Sequence, residues 1–410
     1  MRACLSVLLL GCSVVMALPP RAQVPLPADL ALVPPSPEVA PAVAAFAGAW
    51  GNAAWAGILP TALVVERVDP GGAATVIYGV AASEQFGTPA WTGRIPARIE
   101  GGLLGFTLRS GARAEFEPDG AGRLIGRFTN PAGWQTRAWL ERVPGDAAEV
   151  VAALARPVAP PWEELRIPLR SGVGAVAGQA IALRGFLYRS PLPGSRPLAI
   201  LSHGSTDGER PGVVSIQPFE AEARFFLGRG WHALAFMRKG RGGSEGPMLE
   251  GRELPEEEQL ENAIEDLHAA MTHMRAQPFV DARRIVLMGQ SRGGLLSLAY
   301  AGRHPEAVAG VLNFAGGWWS ESWDRAGFNR RQAAFAGAAA RAPVLWLYGD
   351  RDTYYGLPFI RQVFAAFRDA GGRGEWVEFP ERGHSLIGWT DLWTPRVGRF
   401  LDEVEAVARN

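Results

Sequence analysis

One short stretch restricts the fold more than any other: Arg284-Ile285-Val286-Leu287-Met288-Gly289-Gln290-Ser291-Arg292-Gly293-Gly294. A β-branched, apolar run ends in Gly-x-Ser-x-Gly, and residues 295–303, rich in Ala and Leu, continue with helical character. The pattern predicts a strand, a sharp turn and a helix in immediate succession. Glycines on either side of Ser291 let backbone pass where a Cβ would clash, so the turn can hold the Ser291 hydroxyl exposed at its apex. The new helix aims its free N–H groups and the positive end of its dipole at the same place, where charge on an oxygen would be stabilised. Gly-x-Ser-x-Gly arises by chance often enough to mean little alone. The strand before it and the helix after it give it weight.

Order along the chain adds to this. Sites built on such a turn carry an acid and then a histidine further on. Of six histidines, only His304 and His384 follow Ser291. His304 closes the turn's own helix in Arg303-His304-Pro305, where a basic residue suits the negative dipole end. His384 follows the strand-like Trp376-Val377-Glu378-Phe379 on a Gly-containing loop, where a general base belongs. Pro343-Val344-Leu345-Trp346-Leu347-Tyr348 reads as a buried parallel strand that ends in Gly349-Asp350-Arg351-Asp352. A carboxylate at that end, Asp350 or Asp352, could orient the imidazole and stabilise its charged form.

Four motifs together, Leu201-Ser202-His203-Gly204-Ser205, Gly289-Gln290-Ser291-Arg292-Gly293, Gly349-Asp350-Arg351-Asp352 and Gly383-His384, make the chain from about residue 165 resemble the α/β-hydrolase superfamily. The likeness is to its dienelactone hydrolase and prolyl oligopeptidase branches. The resemblance implies an α/β fold with a mostly parallel central sheet flanked by helices. It also implies a serine esterase in which Ser291 attacks, His384 relays the proton and Asp352 orients it. The backbone amides of Arg292 and Ser205 would form the oxyanion hole, with His203 shaping the turn. Two departures stand out. Dienelactone hydrolase uses cysteine where Ser291 stands, so its substrate does not carry over. The loop pattern Asp-x-Arg-Gly-x-Gly-x-Ser is altered, with Met237 and Lys239 at the first two named positions. A prolyl-oligopeptidase-like peptidase is the alternative, but the region before the hydrolase, roughly a hundred residues, is too short for that branch's propeller. A non-catalytic binding protein on the same scaffold is a third reading, opposed by the intact Ser, Asp and His.

The rest of the chain is read around this unit. At 410 residues it is long enough for two cores. Lys plus Arg equals Asp plus Glu at 41 each, so nothing favours nucleic acid as a partner. Residues 1–17 read as a signal peptide, too short in apolar length to span a membrane. Val15-Met16-Ala17 suits ordinary cleavage, whereas Leu9-Leu10-Gly11-Cys12 resembles a lipobox that would leave a lipid anchor on Cys12. Either implies export to the periplasm or the extracellular space. Both cysteines lie in this segment, so no disulfide is expected in the mature chain.

Residues 18–44 are Pro- and Ala-rich and read as a tether without a core. Residues 45–145 change to short period-two runs separated by turns such as Asp69-Pro70-Gly71-Gly72. Six strands are expected there, in a small all-β barrel- or sandwich-like domain whose Gly48-Ala49-Trp50 resembles the opening of lipocalin-type barrels, with Trp50 as a core plug. Residues 146–164 read as a second linker and 165–410 as the catalytic unit, with an insertion at 315–342. In and just after that insertion, Trp318, Trp319, Tyr354 and Tyr355 are candidate substrate contacts, although the tryptophans could equally pack the insertion onto the body. No metal-ligand spacing, phosphate loop or dinucleotide fingerprint occurs, so no cofactor is implied and a small-molecule ester is the expected partner.

Overall fold

The computed structural model describes residues 23–157, 159–172, 177–205, 213–249, 254–318 and 325–409. The signal segment, with Cys12, and Trp319 lie outside these residues. After a one-turn helix α1 (Pro41–Ala44), eight strands close into an antiparallel barrel: β1 (Gly48–Trp55), β2 (Leu59–Val68), β3 (Ala73–Val80), β4 (Trp91–Glu100), β5 (Leu103–Thr107), β6 (Arg113–Pro118), β7 (Arg123–Thr129) and β8 (Gln135–Val143). Closure removes the free edges that a six-stranded open sheet would expose.

Two of the eight, β1 and β4, are absent from the sequence reading. β4 contains Pro96, which argues against a paired strand. It is tolerated because β5 pairs only with Arg98–Glu100, so Pro96 faces β3 alone. Inside, Leu63, Val65, Val76, Leu104, Phe116 and Leu140 form an apolar core. Phe46 and Trp50 fill one end of it, and the Trp50 Nε1 donates to the Phe46 carbonyl at 2.8 Å.

The expectation of a coreless tether at 18–44 is corrected by the described part of it. Val24 and Leu30 are buried against Ala62, Val64 and Ile77 on the outside of β2 and β3. That outer face is apolar rather than polar, so it needs a cover. The strap supplies one, with Val33 N donating to Glu66 O (2.9 Å) and Ala31 N to the Glu66 carboxylate (3.1 Å). The second linker also holds structure: helix α2 (Ala147–Leu154) begins in a capping box between Asp146 and Glu149 and adds Val150 and Leu154 to the same outer cluster.

The second unit comprises β9 (Glu163–Arg170), β10 (Ala180–Tyr188), β11 (Arg196–Ser202), α3 (Glu220–Gly228), β12 (His232–Phe236), α4 (Glu256–Arg275), β13 (Val280–Gln290), α5 (Arg292–Arg303), β14 (Gly310–Phe314), α6 (Arg325–Ala339), β15 (Val344–Gly349), α7 (Leu357–Asp369), β16 (Gly374–Phe379) and α8 (Thr390–Arg409). Its eight-stranded sheet has the order β16-β15-β14-β13-β11-β12-β10-β9. β11 to β16 run parallel, and β10 alone is reversed, pairing antiparallel with β12 on one side and β9 on the other. Leu198 and Ile200 pack into the core shared with α4, α5, α6 and α7, whereas Ala199 and Leu201 pack into the one shared with α3 and α8. Burial of both faces explains why these strands read as continuous apolar runs.

The barrel meets this unit with the end opposite Trp50. The Gln85 side chain exchanges two hydrogen bonds with the Ile216 backbone (2.9 and 3.0 Å). Trp389 Nε1 donates to Gly133 O at 3.1 Å, and Arg127 pairs with Asp391 at 3.1 Å.

Candidate active site

Ser291 stands between the end of β13, near the middle of the sheet, and the first turn of α5, with φ 56° and ψ −124°. A non-glycine residue holds such angles only when its surroundings over-determine them. Three backbone bonds do so here: Ser291 N donates to Phe314 O (2.9 Å), and its carbonyl accepts from Gly294 N (2.9 Å) and Gly317 N (3.1 Å). A Cβ at Gly293 would lie 2.1 Å from Ser202 O, so only glycine lets α5 press against the end of β11. This close approach lays the turn after β11 along the serine: a Cβ on Gly204 would sit 3.1 Å from Ser291 Cβ. Ser205, half-buried, follows directly on that turn, and Arg292 opens α5.

His384 and Asp352 arrive from the loops after β16 and β15. His384 Nδ1 donates to Asp352 Oδ2 at 2.9 Å, and the Asp352 carboxylate has no exposed surface. Its other oxygen accepts from Tyr354 N (2.8 Å) and Tyr355 N (3.0 Å). These bonds fix the carboxylate, and the carboxylate fixes the imidazole tautomer with Nε2 as the acceptor. Asp350 points to solvent instead. Gln290 Nε2 donates to His384 O at 3.3 Å and so ties the histidine loop to the elbow. Among the hydrogen bonds of the described residues none joins the Ser291 hydroxyl to His384, whose partners are Asp352 and Gln290.

The candidate contacts separate. Tyr354 is 53 % exposed and its ring lies 4.6 Å from His384. Trp318 and Tyr355 are 0 % and 2 % exposed, which corrects their assignment as substrate contacts. Trp318 packs between Phe328 and the Arg292 guanidinium, and the Tyr355 hydroxyl donates to Gly317 O at 2.7 Å. Both brace the elbow's neighbours.

Sequence reasoning missed Arg238. Its guanidinium, 1 % exposed, donates to His203 O (2.6 Å) and Gly204 O (2.9 Å), while its backbone N–H donates to His203 Nε2 (3.2 Å). The turn that carries Ser205 is thus clamped from behind. The signal was present in Met237-Arg238-Lys239, where the expected arginine is displaced by one residue. Lys239 turns the other way, to Asp266 (2.8 Å) and Glu265 (2.6 Å).

A cavity of about 290 Å³ opens between the two units, lined by Gln290 and Ser385, the neighbours of Ser291 and His384, by barrel residues Phe86 and Trp134, and by Glu222. Burial pushes the Glu222 carboxyl up to about 7, with Arg137 pulling it down and Glu220 pushing it further up. Among the described residues no cluster of three or more metal-ligating side chains occurs, and no helix is long and apolar enough to cross a membrane.

A doubly covered, mostly parallel sheet with a strained serine at a strand-to-helix turn defines the α/β-hydrolase fold. Within that class, residues 251–403 match the Prolyl oligopeptidase family. The chain is similar to a putative carboxymethylenebutenolidase of Methylorubrum extorquens, with 29 % identity over 124 residues, 30 % of this chain and 41 % of that one. A second such protein, from Salmonella typhimurium, is 28 % identical over 26 % of this chain and 38 % of its own. The chain therefore spans well under half the length of each relative it matches. Among solved structures, Est1E of Butyrivibrio proteoclasticus with bound ferulic acid is 19 % identical, with a TM-score of 0.43 over 55 % of this chain and 96 % of that one.

Proposed function

We propose that this protein hydrolyses carboxylic esters by acyl transfer. The His384–Asp352 bond, closed onto the Ser291 elbow through Gln290, is the observation that carries the reading. Ser291 Oγ attacks the ester carbonyl as His384 Nε2 takes its proton. The amides of Arg292 and Ser205 stabilise the tetrahedral oxyanion. The proton passes to the departing alcohol, leaving an acyl-enzyme, and His384 then activates water to release the acid. Arg238 is a positioning residue that keeps the Ser205 amide in place. Arg2 and the apolar run before Ala17 support an exported protein, with Cys12 as the lipid attachment point if the lipobox is used.

The match to the Prolyl oligopeptidase family favours a second reading, cleavage of amides by the same residues. Purified protein assayed on p-nitrophenyl esters of graded acyl length beside aminoacyl and prolyl p-nitroanilides separates the two. Short esters are expected to turn over faster than any amide. Efficient amide cleavage with esters at background would replace the esterase reading with the peptidase one.

A further inference from the structure

An eight-stranded barrel is just wide enough for side chains to fill it or for one small ligand to occupy it. This one does both. Beyond the end filled by Phe46 and Trp50, a hollow of about 550 Å³ remains, within the roughly 300–1,000 Å³ usual for small-molecule sites. Its wall includes Trp55, Tyr78, Phe86, Trp91, Phe128 and Trp134. The rings pair along the wall, Trp55 with Phe128, Tyr78 with Trp91 and Phe86 with Trp134, and leave the gap open, with Phe86 and Trp91 38 % and 41 % exposed at the rim.

The lining contains no Asp, Glu, Lys, Arg or His. Its phenol, Tyr78, is pushed by burial to about 12 and stays neutral. A charged occupant would lose its hydration with no counter-charge to replace it, so the wall selects a neutral apolar one.

Position then says what that occupant is part of. The hollow opens at the end of the barrel that faces the hydrolase unit. Phe86 and Trp134, with ring centroids 6.3 Å apart, line both this hollow and the cavity that reaches Gln290 and Ser385. The two spaces therefore share a wall of two aromatic side chains, one of them on the exposed rim.

We infer that the barrel is the specificity site of the enzyme: it holds the long alkyl or aryl tail of a neutral ester whose carbonyl is presented to Ser291. This rests on the ester-hydrolase reading. A tail in the barrel adds apolar burial for each methylene it inserts, so catalytic efficiency rises with chain length until the hollow is filled.

The test uses the full chain and two variants, Leu108→Trp, which fills the hollow, and Trp91→Ala, which removes an exposed rim ring and is the safer of the two for folding. Substrates are p-nitrophenyl acetate, p-nitrophenyl decanoate and decyl acetate. The wild type is expected to prefer at least one long ester over p-nitrophenyl acetate by roughly tenfold or more in kcat/KM, and each folded variant to lose most of that ratio. In parallel, the neutral probe N-phenyl-1-naphthylamine is titrated into Ser291→Ala protein with and without each barrel substitution. One equivalent is expected to bind, to be displaced by decyl acetate, and to weaken about tenfold in the barrel variants. Esters turned over with an unchanged chain-length ratio and unchanged probe affinity in both variants would overturn the barrel site and leave the ester reading standing. No turnover of any ester would overturn the ester reading and the barrel's role as its tail site. Probe binding that the variants still weakened would then keep the barrel only as an apolar ligand site, and probe binding indifferent to them would remove that too.

Discussion

The two halves of the molecule each rest on eight strands, and they use them in opposite ways. The barrel closes on itself around an apolar lumen, with Arg142 laid over Trp50 at its filled end. Glu66 on its outside pairs with Arg94 (2.6 Å), and Arg127 reaches across to Asp391. The barrel buries Glu66 and Arg137, whereas the hydrolase unit, its open sheet covered on both faces, buries Arg238, Lys239, Asp266 and Asp352 more completely still. Among the described residues it also holds four of the six non-glycine positions with positive φ, Phe219, Ser291, Ala315 and Glu381, against Asn52 and Ala56 in the barrel. Strain and buried charge persist only where surroundings over-determine them, and they collect where chemistry has to be positioned. The barrel's contribution is shape, and that of the hydrolase unit is poised polar groups.

The comparison is broken most directly at Asp352. Asp352→Asn keeps the size of the side chain but favours the wrong tautomer of His384. A fall in kcat of about ten-thousandfold on p-nitrophenyl acetate is expected, with an unchanged circular dichroism spectrum. Asp350→Asn, at an exposed position two residues away, should stay within about threefold, because it touches only the turn. A large loss at Asp350 with near-normal turnover at Asp352 would reverse the assignment.

The same contrast explains which parts of the molecule were legible in the sequence. The elbow, the acid loop and the histidine loop announce themselves because each needs particular residue types at a strand end. β13 and β15 are recognisable because burial on both faces leaves unbroken apolar runs. The barrel is harder to read. β4 hides behind Pro96 and carries Ile95, Ala97 and Ile99 as weak inward positions after Trp91 at the rim. The strap over β2 and β3 is unreadable locally, since its few apolar residues acquire meaning only from an outer face folded elsewhere in the chain. Trp318 shows the same limit inside the hydrolase unit. Spacing puts a tryptophan near the site, but whether it lines a pocket or braces Arg292 depends on a direction that no local pattern encodes.

Buried charge gives the next largest effect. Lys239, 2 % exposed in its side chain, sits between Asp266 and Glu265. Burial lifts the Asp266 carboxyl to about 6 against the pull of Lys239, so its charge depends on that partner. Lys239→Met leaves that carboxylate with only the backbone N–H of residue 239 (2.9 Å). The expected cost is about 3–5 kcal/mol, read from the urea midpoint of the hydrolase unit. The barrel counterpart is Arg98→Met, which breaks an exposed pair with Glu100 (side chains 64 % and 80 % exposed) and should cost less than about 1 kcal/mol. Equal costs would mean that the two units do not differ in how they treat charge.

The smallest effect sits at the joint and sharpens where one regime gives way to the other. Glu222 on α3 lines the cavity between the units and is held near neutral, with its carboxyl lifted from 4.5 to about 7 chiefly by burial. A carboxyl whose affinity for protons rises on folding stabilises the folded state below its unfolded pKa, and that contribution fades as pH climbs through the window from about 4.5 to 7. In that window the folded state binds more protons than the unfolded one, so stability falls with rising pH. The full shift corresponds to roughly 3 kcal/mol. Water entering the cavity would soften it, so a loss of about 1–3 kcal/mol between pH 4.5 and 7.5 is expected in the wild type relative to Glu222→Gln, whose amide does not titrate. Urea unfolding of both proteins across that range gives the difference directly. Parallel curves would show Glu222 to be ionised and hydrated, which would make the joint a polar channel, unlike the apolar lumen beside it. Converging curves, with the wild type losing its excess stability as pH rises, would extend the barrel's apolar environment up to the flank of the Ser291 elbow.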